Sequence, residues 1–246
     1  MSASDNLFER PDYSGPFVFN EVVAQVFDDM VSRSVPLYRE VTESTAHMAR
    51  ENYVFGTNIV DVGCSTGTTL QAIARIMEEP AALIGIDTSP PMLERAEEKL
   101  AAFAGFHNIK LSGESALDFD YKNSSVVILN YTMQFIPTAK RRKLLESIYS
   151  GLVIQGVIIV SDKVTSANSK FMKLQTFMYE EFKARNGYSA EEIERKKAAL
   201  ENVLVPLTWE EQLELIKSAG FSTVEPVIKW NNFMSVIAVK AEDDVR

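Results

Sequence analysis

A chain of 246 residues is long enough to bury a substantial core within one elaborated domain, and its 46% hydrophobic and 24% charged residues exclude a disordered or membrane-embedded class. A net charge of −9 sets the surface as a whole against nucleic acid, whose binding draws on Lys and Arg, and favours a small-molecule substrate with no direct nucleic-acid partner. Cys64 is the single cysteine, which excludes an intrachain disulfide and fits a reducing compartment. The opening MSASDNLFERPDYSG carries no apolar stretch of the signal-peptide kind, and no run of about 18 apolar residues follows it, so the expected location is the cytoplasm without membrane attachment.

In chain order, residues 20–52 read as two helices. The first has Val23, Val26, Phe27 and Met30 at helical spacing, and the second begins near Ser34 with Pro36 in its first turn. Both precede the first strand, where they can cover a ligand. Strands are expected at 57–62, 82–86, 108–112, 125–130 and 156–162, with helices at 67–78, 90–104 and 138–150 between them. Residues 168–203 are a helical insertion, broken at Asn186-Gly187-Tyr188 and restarted at Ser189 with Glu192 three residues on. A helix at 208–219 opens with the same spacing, Thr208 and Glu211. The last strands, 222–229 and 233–240, are separated by Trp230-Asn231-Asn232, the length of a hairpin. This alternation predicts an α/β fold, a doubly wound and mostly parallel sheet ending in an antiparallel pair, within one domain.

The stretch Asp61-Val62-Gly63-Cys64-Ser65-Thr66-Gly67 follows the first strand and opens a helix. Small residues there let a ligand approach backbone amides at a helix N-terminus. Asp87, twenty residues beyond Gly67 at the next strand end, is placed to accept both hydrogen bonds of a ribose diol. Ser65 stands where the common glycine turn has its middle glycine. Taken alone, the turn is also what a tight strand-to-helix connection requires. With seven strands and the terminal hairpin, it resembles the Rossmann-like fold of the class I methyltransferases, and that resemblance favours S-adenosyl-L-methionine (SAM) over a nicotinamide dinucleotide.

More of the chain is similar to a narrower group. VAQVFDDMVSRSVPLY at 23–38, DVGCSTG at 61–67, GIDTSPPMLERA at 85–96, VVILNYTMQFIP at 126–137, EEFKARNGYSAEEI at 180–193 and LENV at 200–203 together resemble the carboxy-S-adenosyl-L-methionine synthase family. The resemblance implies conversion of SAM and prephenate to carboxy-SAM and phenylpyruvate, a product used by a separate enzyme on a tRNA wobble uridine, and a homodimeric assembly. By the same resemblance, Gly63, Cys64 and Ser65 line the amino acid end of SAM or carboxy-SAM, Asp87 and Thr88 hold the ribose, and Glu114 and Ser115 lie by the adenine. Tyr38, Asn130 and Lys197 then surround the reacting centre, Lys197 occupying the position of the family's carboxylate-binding arginine, with Arg195 two residues earlier. Lysine keeps the charge of arginine without its two-pronged geometry.

Plainer readings stand beside these roles. Tyr38 also suits a half-buried helix aromatic, Asn130 a strand-end turn, Cys64 a small packing residue, and Arg195, Lys196 and Lys197 a solvated basic face. Two other functions fit the scaffold: a SAM-dependent methyltransferase of another small molecule, and a SAM-binding regulator without turnover. His47 and His107 have no metal-ligand spacing, and no Walker A or nucleophile-elbow motif occurs, so no metal is expected.

Overall fold

A computed structural model describes residues 4–9 and 15–241. Helix α1 (Glu21–Ser34) starts where the Asn20 side chain accepts a hydrogen bond from the Val23 amide at 3.1 Å, and it buries Val23, Val26 and Met30. Helix α2 (Tyr38–Asn52) begins four residues later than expected. The expected start at Ser34 fails because Pro36 holds the preceding Val35 extended, at φ −108 and ψ 112, and Leu37 adopts a left-handed φ of 55 before the new helix. Tyr38 is therefore the first residue of α2 rather than part of its second turn.

The core then alternates as expected: β1 (Asn58–Val62), α3 (Thr68–Ile76), β2 (Ala82–Ile86), α4 (Pro90–Leu100), β3 (Asn108–Ser112), β4 (Ser124–Asn130), α5 (Thr138–Gly151) and β5 (Leu152–Thr165). The insertion forms α6 (Ser169–Arg185) and α7 (Ala190–Leu200), divided at Gly187 with φ +90, and Ser189 and Glu192 form the reciprocal cap of α7. The chain ends in β6 (Leu207–Thr208), α8 (Trp209–Ser218), β7 (Thr223–Trp230) and β8 (Phe233–Val239). Strand β5 outruns the apolar run 156–162 because its ends gain partners: Leu152 pairs with Ser124, and Val164 and Thr165 pair with the two residues of β6. Strand β6 was not expected.

The strand order is β3-β2-β1-β4-β5-β8-β7, with β6 beside β5 alone. Neighbours from β3 to β5 are parallel, and β8 runs antiparallel to both β5 and β7. The order reverses between β1 and β4, and that switch point opens a crevice at the carboxyl ends of the strands. Helices cover both faces, so alternate residues of one strand serve two cores: Val127 and Leu129 pack toward α5 and α8, and Val126 and Ile128 toward α2 and α3. A third cluster joins Phe17, Val23, Val26 and Met30 of the N-terminal segment to Ala199 of α7. The N-terminal cover and the insertion are thereby packed on each other. No helix among the described residues is long and apolar enough to cross a membrane.

Candidate ligand-binding site

The ten site residues expected from the sequence all border one cavity of about 1230 Å³ over the switch point. Gly63 and Gly67 both have positive φ, +69 and +75. A Cβ on Gly63 would lie 2.6 Å from Thr132 Oγ1, so this position needs glycine for both its conformation and its space. Ser65 takes a left-handed φ of 48, the conformation its glycine counterpart would adopt freely. That turn aims the Ser65 amide at Asp87 Oδ2, 2.9 Å away, while Ser89 N donates to Asp87 Oδ1 at the same distance. Each carboxylate oxygen thus keeps acceptor capacity for a ligand hydroxyl. Thr88 follows on the rim.

Cys64 packs on Gly85, where a Cβ would come within 2.8 Å of its sulfur. Burial, then the negative charge of Asp61, pushes its thiol well above the ordinary range, which suits packing and not nucleophilic chemistry. Asp61, in β1, is 2% exposed, yet its carboxylate receives no hydrogen bond from the described residues. Burial, reinforced by the Asp87 charge, raises it to about 7, and burial also raises Asp87. Two desolvated carboxylates beside a glycine cradle favour a cationic ligand with hydroxyl groups. A SAM molecule, with its sulfonium, ammonium and ribose, meets that description.

Asn130 ends β4, held from three sides: its amide donates to Thr45 and Thr69 Oγ1, each at 3.4 Å, and its carbonyl accepts from Ser161 at 2.8 Å. Tyr38 reaches the same wall, and its phenol is pushed up by burial and then by Asp28. Glu114 and Ser115 follow β3 on the far rim, Glu114 exposed and Ser115 capping Leu117 N at 3.2 Å. Lys197 borders the cavity from α7, but its ammonium is shared between Glu180 at 3.1 Å and Glu194 at 3.4 Å. Arg195 instead donates to the carbonyls of Phe8 and Glu9, at 2.9 and 3.1 Å. His107 is a satisfied core residue, its ring nitrogens on Ala81 N and Ala74 O, and no metal-binding cluster occurs among the described residues.

The methyltransferase-domain family matches residues 55–237. A carboxy-S-adenosyl-L-methionine synthase of Trichodesmium erythraeum is 49% identical over 98% of this chain and 95% of its own length. The chain belongs to the carboxy-S-adenosyl-L-methionine synthase family. A second synthase, from a Nitratiruptor species, is 42% identical over 96% of this chain and 98% of its own. Among solved structures, human N-acetylserotonin methyltransferase in complex with SAM superposes with a TM-score of 0.60 at 15% identity, over 90% of this chain. The chain spans 55% of that longer protein, and the likeness is one of fold.

Several residues of the synthase cavity carried no signal in isolation. Thr132, Tyr131, Lys163, Tyr179 and Lys183 all border it. Lys183 lies inside the quoted EEFKARNGYS segment, and Tyr131 directly follows Asn130, so proximity to the family stretches was the available clue.

Asp61 gives the site a pH dependence whose sign can be worked out. Its folded pKa is raised, so its contribution to stability falls as pH climbs from the ordinary carboxylate range toward about 7. A cationic ligand favours the ionised form and removes that penalty. SAM affinity should therefore rise between about pH 5.5 and about pH 7.5, by up to about tenfold per unit for one proton released. Asp61→Asn should flatten the profile. Calorimetric titrations in which wild type and Asp61→Asn show the same slope would remove Asp61 from the ligand's surroundings.

Proposed function

We propose that this protein makes carboxy-SAM, using SAM and prephenate as substrates and releasing phenylpyruvate, and that its product feeds wobble-uridine modification of tRNA by another enzyme. The observation that carries this reading is the 49% identity to a carboxy-SAM synthase over 98% of the chain. The cavity supports it in size, since about 1230 Å³ exceeds the roughly 300–1,000 Å³ of a pocket for one small molecule.

In this reading the whole chain acts as one ligand-binding domain. Gly63, Cys64 and Ser65 receive the amino acid end of SAM, Asp87 and Thr88 the ribose, and Glu114 and Ser115 the adenine. Asn130 and Tyr38 hold the sulfonium region. Prephenate loses its ring carboxylate as carbon dioxide and its ring hydroxyl as hydroxide, leaving phenylpyruvate. The hydroxide takes one proton from the sulfonium methyl and becomes water. The carbon so freed attacks the carbon dioxide, and the new carboxylate turns to Lys197. Protein groups position the two substrates, exclude bulk water and support charge, and no protein nucleophile is needed.

Incubating the protein with SAM and prephenate should yield a nucleoside heavier than SAM by one carboxylate replacing a proton, together with phenylpyruvate. A product that forms without prephenate, or none at all, would refute this assignment. One observation favours transfer of an unmodified methyl group to another acceptor: Lys197 is already held by Glu180 and Glu194. Detection of a methylated acceptor from cell metabolites would promote that reading.

The assembly we propose is a homodimer formed through α6, whose Phe171, Leu174 and Phe177 are 56, 54 and 60% exposed. Sedimentation should give twice the chain mass. A single-chain mass unchanged at high concentration would exclude the dimer.

A further inference from the structure

The cavity has a second end, and that end is cationic. Lys163, near the carboxyl end of β5, and Lys183, in the last turn of α6, stand 4.7 and 4.5 Å from the centroid of the Tyr179 ring. Both border the cavity, and Lys183 is only 4% exposed. The nearby carboxylates, Glu180 and Glu194, are both bound to Lys197. The Lys163 backbone amide donates to Gln134 Oε1 at 3.0 Å, but neither the Lys163 nor the Lys183 ammonium group has a hydrogen-bonding or ion-pairing partner among the described residues; the Tyr179 ring is what they touch. Burial first, and then the Lys163 charge, lowers Lys183 to about 8, and burial lowers Lys163 as well. Two desolvated cations sharing one ring repel each other, and Glu180 and Glu194, already held by Lys197, offset this only in part, so an entering anion would relieve the rest.

An aromatic path leads there from the ligand cradle. Tyr38 and Tyr131 have ring centroids 6.3 Å apart, Tyr131 and Phe233 6.3 Å, and Phe233 and Tyr179 5.1 Å. All four rings border the cavity. A ligand suited to this path has a flat hydrophobic ring and a carboxylate beyond it.

We propose that Lys163 and Lys183 are the subsite for the carboxylate that the second substrate retains, with the substrate's ring lying along Tyr131 and Phe233. The identity of the acid as prephenate rests on the function proposed above. Its two carboxylates have different fates, and the chemistry assigns them to opposite ends. A carboxylate held between two ammonium groups is stabilised in its charged form and resists loss as carbon dioxide. The side-chain carboxylate, which survives in phenylpyruvate, therefore belongs at the lysines, and the ring carboxylate faces the sulfonium near Asn130 and Tyr38.

The test uses phenylpyruvate as the probe, titrated calorimetrically into protein saturated with SAM. Lys183→Met and Lys163→Met keep side-chain length and remove charge, and each should weaken phenylpyruvate binding by about tenfold or more, as expected for a charged hydrogen bond. Lys183→Arg should retain binding, and SAM affinity should stay unchanged in every variant, which also certifies folding. The proposal is overturned if wild type does not bind phenylpyruvate, if the Met variants bind it as wild type does, or if they lose SAM affinity in parallel. Turnover separates this from the functional reading. Wild type that binds phenylpyruvate through these lysines but forms no carboxy-SAM from prephenate would retain the subsite and lose the proposed reaction.

Discussion

Gly63→Ala is expected to lower the melting temperature by about 5–15 °C, corresponding to about 2–5 kcal/mol in a chain of this size, and to weaken SAM binding by on the order of a hundredfold. Two costs combine. At φ +69 an alanine is strained by about 1–2 kcal/mol. Its Cβ would also lie 2.6 and 2.7 Å from Oγ1 and Cγ2 of Thr132. Thr132 cannot simply turn aside, because its hydroxyl donates to the Val62 carbonyl at 2.7 Å. The turn must shift, and with it the Ser65 amide that orients Asp87. Two controls separate the costs. Gly63→Ala combined with Thr132→Ala should recover most of the steric part, the Thr132 Cβ remaining 3.2 Å away, and keep the conformational part. Gly56→Ala, at φ +82 with nothing within 4 Å of the added carbon, should show strain alone and leave SAM binding intact. Wild-type SAM affinity in Gly63→Ala would show that the turn is not the cradle.

Lys197→Ala is expected to weaken carboxy-SAM binding by about tenfold while changing SAM affinity by less than about twofold, the discriminating signature of a contact to the added carboxylate. A charged hydrogen bond in a dry site would give more. The Lys197 side chain is 55% exposed, and water and its two glutamates screen the new contact, so the lower figure applies. Its pKa is raised, chiefly by the hydrogen bond to Glu180, which keeps it charged throughout the neutral range. Carboxy-SAM must therefore compete with Glu180 for the ammonium. Lys197→Arg should hold or improve the preference, because a guanidinium can serve both carboxylates at once. Equal loss of both ligands in Lys197→Ala, or loss of neither, would refute the contact and strengthen the methyltransferase reading.

The central strands were legible because both sheet faces are covered, so β4 reads as a continuous apolar run, Val126 to Leu129, with Asn130 at its carboxyl end. The glycine turn and Asp87 were legible because fixed chain spacing places them across one turn. The start of α2 was misread because Pro36 suits a first helical turn equally well in sequence, and the left-handed Leu37 leaves no local signature. Strand β6 has two residues and so no periodicity. The cationic end of the cavity was hidden for another reason. Lys163 and Lys183 are ordinary lysines until the fold assigns the nearby glutamates to Lys197, and that pairing joins two helices, α6 and α7.

The packing of the N-terminal cover on the insertion couples two distant parts of the chain. Arg33 Nε donates to the Asn186 carbonyl at 2.9 Å, Asn186 returns a bond to the Arg33 carbonyl at 3.0 Å, and Tyr179 donates to the Ser34 carbonyl at 2.9 Å. Parting α1 from α6 and α7 would strand each of these groups and expose the apolar cluster between them. The two segments are joined, although some 150 residues separate Arg33 from Asn186 along the chain. Separating the two segments requires these bonds and the apolar contacts to be lost together, so a substitution at the α6–α7 break is expected to loosen the N-terminal cover as well.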